Sequence, residues 1–281
     1  MSATDALPPG AVLAWALPGL PEVVPGDDLV ALILTAAAGS LRPGDVLVVT
    51  SKIVSKAEGR IHAADTRAAL IEAETARAVA TVHAPDGPVP IVENHLGIVQ
   101  AAAGVDASNT ERGTVLTLPR DPDRSAAAIR AGVLARAGIE VGVLITDTAG
   151  RAWRLGQTDL AIGSAGVALL ADERGQHDSH GAVLSATVRC LGDQIAGAAD
   201  LVKGKRDGLP VAVLRGLAPP RSAAEAPPTR ELNRPRAQDA FWLGSAEALR
   251  LGWEYGSRGV PLAELPGPGA GGEPRAAGPP R

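Results

Sequence analysis

Gly44-Asp45-Val46-Leu47-Val48-Val49-Thr50-Ser51-Lys52-Ile53-Val54-Ser55-Lys56 opens with a turn pair, runs through four apolar residues, and ends in hydroxyls and two ammonium groups. A strand that is apolar at every position must be covered on both faces, which suits a sheet packed by helices rather than a sheet open to water. Just before it, Asp27 and Asp28 precede Leu29, Leu32, Ile33 and Ala36 at helical spacing, with Gly39 placed as a stop. The proline-rich and glycine-rich run at residues 17–26 is denied a helix and reads as the loop that enters the domain.

Outward from this unit, periodicity predicts a helix over residues 66–79, strands over 89–92 and 114–118, and a helix over 123–137. A buried strand over 141–145, a helix over 188–202 and a strand over 209–214 follow. This alternation gives a mixed α/β or α+β domain over residues 1–217, and no repeat of constant period supports a solenoid or propeller. Residues 218–255 read as a linker and docking segment, with a short helical pattern over 241–255. From Gly256 to Arg281 there are 7 Gly and 6 Pro in 26 residues, so a disordered tail is expected.

Composition narrows the function. The 281 residues carry 27 basic and 31 acidic side chains, a net charge of -4 that is the wrong sign for binding phosphate backbones by bulk charge. Six aromatic residues leave little for base stacking, so nucleic acid is not an expected partner. One cysteine, Cys190, rules out an internal disulfide and a multi-thiolate zinc site, and agrees with a reducing, cytoplasmic setting. No apolar run approaches the ~20 residues of a membrane span, and no membrane role is expected.

The common nucleotide-binding glycine motifs and the H-E-x-x-H motif are missing, which leaves four polar clusters beside apolar segments. Thr50 to Lys56 could hold phosphate oxygens or form a solvated turn. Asp106 and Asn109, in Gly104-Val105-Asp106-Ala107-Ser108-Asn109, suit either a ligand contact or an Asx turn. Asp147 and Thr148 offer hard oxygen donors for a divalent ion or a turn, and Arg151, Arg154 and Gln157 beyond them suit an anionic substrate. Lys203-Gly204-Lys205 ends a helix, where cations are favoured by the dipole or could meet a ligand.

Taken in order, the stretches LPGLPEVVPGDDL, GDVLVVTSKIVSKAEGR, IVENHLGIVQAAAGVDASNT, ITDTAGRAWRLGQTDLAIG, DERGQHDSHG and AADLVKGK with PVAVLRG resemble the coenzyme F420:L-glutamate ligase family. The resemblance extends to the N-terminal domain of that family's mycobacterial fused form. It implies a GTP-dependent amide ligase that adds L-glutamate to coenzyme F420-0 through an acyl phosphate, with two Mg2+ or Mn2+ ions and K+. It also implies an α+β fold of two subdomains and an intertwined homodimer. By matching position, Leu20, Pro21, Glu22, Val23, Ser51, Lys56 and Asn109 would contact GTP, joined by Lys203, Gly204, Lys205, Arg206, Asp207, Gly208, Leu209 and Pro210. Asp106, Asp147 and Thr148 would hold metal, and Arg151, Arg154 and Gln157 would meet substrate.

Two departures qualify the match. Lys205 stands where archaeal relatives often carry a metal-associated Gln, and an ammonium cannot ligate a cation. Phe241-Trp242-Leu243-Gly244 resembles the start of the fused form's linker, with no reductase-like domain after it, so that second activity is expected elsewhere or not at all. The competing readings are a nucleotide-dependent ligase for another carboxylate acceptor and a non-catalytic nucleotide-binding or deazaflavin-binding homologue.

Overall fold

The computed structural model describes residues 8, 10–85, 87–217 and 227–260. In chain order, β1 (Leu13–Ala16), α1 (Leu29–Ala37), β2 (Val46–Thr50), α2 (Ser51–Ala57), β3 (Ile61–Ala63) and α3 (Arg67–Glu74) come first. They are followed by β4 (Thr75–Ala84), β5 (Gly87–Asn94), β6 (Val99–Ala101), β7 (Thr114–Leu116), α4 (Pro122–Ala137), β8 (Gly142–Arg151) and β9 (Arg154–Ala165). The last elements are β10 (Leu170–Asp172), β11 (Val188–Cys190), α5 (Leu191–Lys203), β12 (Val211–Arg215) and α6 (Ser245–Ser257). The protein is a mixed α/β fold with several sheets.

Two compact units share the chain: the first comprises Met1–Glu74 and Gly104–Leu232, the second Thr75–Ala103 and Asn233–Arg281. The first contains the five-stranded sheet β1-β12-β2-β8-β9, in which only β2 and β8 are parallel neighbours. Val46 to Val49 are all buried, as the uninterrupted apolar run requires. On one face Val46, Val48, Leu144, Ala161, Ala212 and Leu214 pack with Ile195, Ala196 and Ala199 of α5. Helix α4 covers the other side of β8 and β9 so closely that a Cβ at Gly163 would lie 2.4 Å from Pro122.

The helix ends follow from sequence. Asp28 accepts from Ala31 N at 3.1 Å and Asp121 from Arg124 N at 3.0 Å, each meeting a donor left open at a helix start. Gly138 closes α4 in the left-handed region, with φ 69. The antiparallel pair β8 and β9 has two register shifts, one near its tip between Gly150 and Arg151 and one in its body, where Ile145 faces Gly163, Thr146 faces Ala161, and Ile162 has no partner residue.

The second unit holds the sheet β4-β5-β6 and helix α6, where Arg77 pairs with Glu93 and Arg236 lies 4.2 Å from the Trp242 ring centroid.

The predicted helix over 66–79 stops at Glu74. Residues from Thr75 onward join β5 as a strand, because long-range pairing of a segment containing Thr75, Val79, Thr81 and Val82 prevails over a helical pattern. Likewise Val188–Cys190 pairs with β10 before α5 begins, and β8 runs six residues beyond Ile145, to Arg151. Residues 218–226 of the linker and 261–281 of the expected tail lie outside the described residues, and α6 extends to Ser257.

Candidate active site

Four of the segments singled out in the sequence reach one edge of the five-stranded sheet. Parallel strands β2 and β8 both run toward it, β2 ending at Thr50 just before Ser51 opens α2 and β8 passing through Asp147. β12 starts there, with Thr50 N donating to Pro210 O at 2.9 Å, and β1 leaves there, with Leu17 N donating to Val211 O at 2.8 Å. Residues 20–23, 51–56, 147–148 and 203–210 therefore surround the carboxyl ends of the two parallel strands, the usual place for a ligand in an α/β sheet.

Alternation along β8 divides its polar triplet between two faces. Asp147 turns toward α2 and accepts from the Ser51 hydroxyl at 3.0 Å. Asp106 accepts an ion-paired hydrogen bond from Lys52 and also binds Ser108 through its backbone N and hydroxyl, at 2.7 and 2.9 Å. An Asx turn and an ion pair thus coexist at Asp106. Burial pushes the Asp147 carboxyl above the ordinary carboxylate value; Lys52 and the Ser51 hydroxyl oppose the rise, and the Asp106 charge adds to it. Burial also acts to raise Asp106, but Lys52 and Ser108 outweigh it and hold that carboxyl below its usual value.

Thr146 and Thr148 point to the opposite face, where Asp159 of β9 stands directly across from Thr148. Their hydroxyls donate to the two Asp159 oxygens at 2.9 and 2.6 Å. Lys203 adds bonds to Asp159 at 2.6 Å and to Thr146 at 2.8 Å, and Lys205 reaches Asp159, Asp200 and the Thr148 hydroxyl. Burial works against the Asp159 carboxylate, yet the charge and hydrogen bond of Lys203, helped by Thr148 and Lys205, bring its pKa down to about 2. Gly204 lets two lysines reach the same carboxylate: its φ of 61 and ψ of -174 are glycine geometry, and a Cβ would meet Asp207 Oδ2 at 2.6 Å.

A third set links the remaining nucleotide candidates. Lys56 is buried in α2, and its ammonium donates to Glu22 at 2.5 Å and to the Asn109 carbonyl at 2.9 Å. The Asn109 amide donates to the Lys205 carbonyl at 3.2 Å, so residues 22, 56, 109 and 205 form one chain of contacts. Leu20 is half-buried, Pro21 exposed and Val23 buried, while Arg206, Asp207 and Gly208 are exposed and Leu209 and Pro210 half-buried. Arg151, Arg154 and Gln157 stand exposed on the β8–β9 ribbon beyond this cluster, and Arg151 donates to the Leu155 carbonyl at 3.0 Å.

Thr146 and Asp159 were not selected from sequence, while Lys52 was read only as one of the two ammonium groups of the Thr50–Lys56 cluster, without its partner Asp106. Period-2 spacing in Thr146-Asp147-Thr148 was the available signal for Thr146, and the hairpin that brings β9 back along β8 was the signal for Asp159.

Among the described residues, no three His, Cys, Asp or Glu side chains gather as a metal-binding group. Asp106 and Asp147 still provide carboxylate oxygens, with the Asp106 charge felt at Asp147, a donor pair suited to a hard divalent ion that keeps much of its water. The Thr148 hydroxyl belongs to the Asp159 network on the other face. Among the described residues, no helix is long and apolar enough to cross a membrane.

Comparison with known proteins identifies the relatives of this chain. The chain is 40% identical over 243 residues to a coenzyme F420:L-glutamate ligase of Methanopyrus kandleri, covering 78% of this chain and 93% of the relative. It is 42% identical over 214 residues to one from Archaeoglobus fulgidus, covering 71% and 85%. A Halobacterium salinarum protein of the same name is 41% identical over 223 residues, covering 72% and 86%. The family model for F420-0:gamma-glutamyl ligase matches residues 19–216. That span includes every site residue from Leu20 to Pro210, and the chain belongs to the F420-0:gamma-glutamyl ligase family.

Proposed function

We propose that the protein is a GTP-dependent ligase that joins L-glutamate to coenzyme F420-0 through an acyl phosphate, forming an amide and then γ-glutamyl linkages. The observation that carries this reading is the meeting, at one sheet edge, of the Ser51–Lys56 helix, the carboxylates Asp106 and Asp147, and the lysine pair Lys203 and Lys205. The relatives' names supply glutamate and F420 as the partners of the reaction.

The chemistry needs such a cluster. A carboxylate is a poor electrophile, so it first takes the γ-phosphoryl group, releasing GDP. The glutamate amine then attacks the acyl carbon, the C–N bond forms, the C–O bond to phosphate breaks, and the amine proton leaves to solvent or buffer. Lys56 and Ser51, with the Asn109 loop, would position phosphate oxygens beside fixed positive charge. A Mg2+ or Mn2+ ion held through Asp106 and Asp147 would neutralise charge developing on the transferring phosphoryl group. K+ is part of the same proposal.

Assembly as a homodimer also belongs to it. Support comes from the tip of the β8–β9 ribbon, where Trp153 and Leu155 are 81% and 98% exposed, an apolar pair suited to cover by a second copy. Light scattering after size exclusion measures the mass directly.

One incubation tests the reaction. The full chain is mixed with GTP, Mg2+, K+, L-glutamate and F420-0, and products are read by mass spectrometry alongside phosphate release. The expected result is an acceptor heavier by one or more glutamyl residues and one phosphate per bond. Phosphate release only with a different carboxylate would move the acceptor assignment, and nucleotide binding without phosphate release would indicate a non-catalytic protein.

A further inference from the structure

Lys205 is the most exposed member of the Asp159 network, with 54% of its side chain open to solvent, yet its ammonium is enclosed by oxygens. It meets Thr148 Oγ1, Asp159 Oδ1 at 3.3 Å and Asp200 Oδ1 at 3.3 Å. These three oxygens come from β8, β9 and α5, three separate elements. The lysine backbone is fixed as well: Gly204 sets the turn before it, and its carbonyl accepts from the Asn109 amide.

Charge counting shows what the ammonium does. Lys203 and Lys205 balance Asp159 and Asp200, so the network is neutral only while Lys205 is present. Without it, two carboxylates and a hydroxyl would face open water with one net negative charge. Hard oxygens with uncompensated negative charge are the donor set of Mg2+, Mn2+ or Ca2+.

We propose that Lys205 acts as a resident cation, filling from the chain itself an oxygen-lined position that would otherwise take a metal ion. The carboxylates Asp106 and Asp147, which would hold the ion of the proposed reaction, are a separate set, because alternation sends Asp147 and Thr148 to opposite faces of β8. Lys205 therefore provides fixed charge near the Asn109 loop at every metal concentration.

The test counts bound Mn2+ by electron paramagnetic resonance on the full chain without nucleotide, glutamate or acceptor, so it does not depend on the reaction assigned above. Lys205→Gln and Lys205→Met should each bind one Mn2+ per chain more than wild type. Lys205→Arg, which keeps the cation, should retain the wild-type count. Adding Asp200→Asn to Lys205→Gln should remove the extra ion by taking away one donor charge. Circular dichroism confirms that each variant is folded. Equal Mn2+ counts in wild type, Lys205→Gln and Lys205→Met would overturn the proposal, as would an extra ion in Lys205→Arg.

Discussion

Lys203 and Asp159 form an ion pair at 2.6 Å in which each side chain is only 4% exposed. Removing Lys203 leaves the buried Asp159 carboxylate with only the more exposed Lys205, at 3.3 Å, as a cationic partner, and an undercompensated buried charge costs far more than the net worth of the pair. Lys203→Met should destabilise the protein by about 3–5 kcal/mol, read as a lower denaturant midpoint. The double variant Lys203→Met, Asp159→Leu should recover part of that loss; a double variant no more stable than the single would show that the pair's own attraction dominates.

Asp159 also gives a pH signature. Its pKa is about 2 in the folded chain against an ordinary 3.8, so it contributes stability that is fully present above 3.8 and is lost as pH falls through 2. The contribution is about 2 kcal/mol at neutral pH. Urea melts of wild type and Asp159→Asn should differ most at pH 6 to 7 and converge toward pH 2. A gap that stays constant with pH would mean that shape, not charge, holds the network.

Asp147 has the opposite sign. Its folded pKa is raised, so its contribution is present below the unfolded value and lost as pH rises through the folded one, and above that window the buried carboxyl costs stability. Asp147→Asn should raise the melting temperature of the metal-free protein while weakening Mn2+ binding at least ~10-fold. A variant that melts lower and binds Mn2+ normally would remove Asp147 from the metal assignment.

Lys56 presents its ammonium to Glu22 and the Asn109 carbonyl. Lys56→Met should raise the apparent KM for GTP more than that for glutamate, because one fixed charge near the phosphates is lost. Steady-state kinetics with each substrate varied in turn reads this, and a larger effect on glutamate would place Lys56 at the acceptor.

At Gly204, alanine would be forced into a backbone region that only glycine adopts and against the Asp207 carboxylate. Gly204→Ala should cost about 1–3 kcal/mol. Thermal melts should show it, whereas Gly252→Ala, where an added Cβ meets nothing within 4 Å, should not.

The sheet's centre was readable because Val46 to Val49 and residues 141–145 are apolar at every position, and only a doubly covered strand tolerates that. Helices with side-chain caps, such as α1 behind Asp28 and α4 behind Asp121, were also legible. What local pattern could not give was pairing. Thr75 joins a strand because β5 is there to receive it, and Asp159 becomes a site residue only when β9 folds back on β8. Lys52 could be seen in sequence as a cation, but its partner Asp106 lies 54 residues away, on a loop that only the fold brings close.

The unpaired Ile162 decides which carboxylates keep company. Counting back along β9 from Gly163 without that extra residue, Asp159 would face Ala149 and fall on the Asp147 side of the ribbon. Two acids would then crowd onto one face, while Lys203 and Lys205 would be left with no Asp159 carboxylate on theirs. The one-residue offset acts as a parity switch that sorts negative charge to both faces of the sheet. An insertion or deletion of a single residue between Asp159 and Gly163 would therefore disable both clusters at once without touching any residue that forms them.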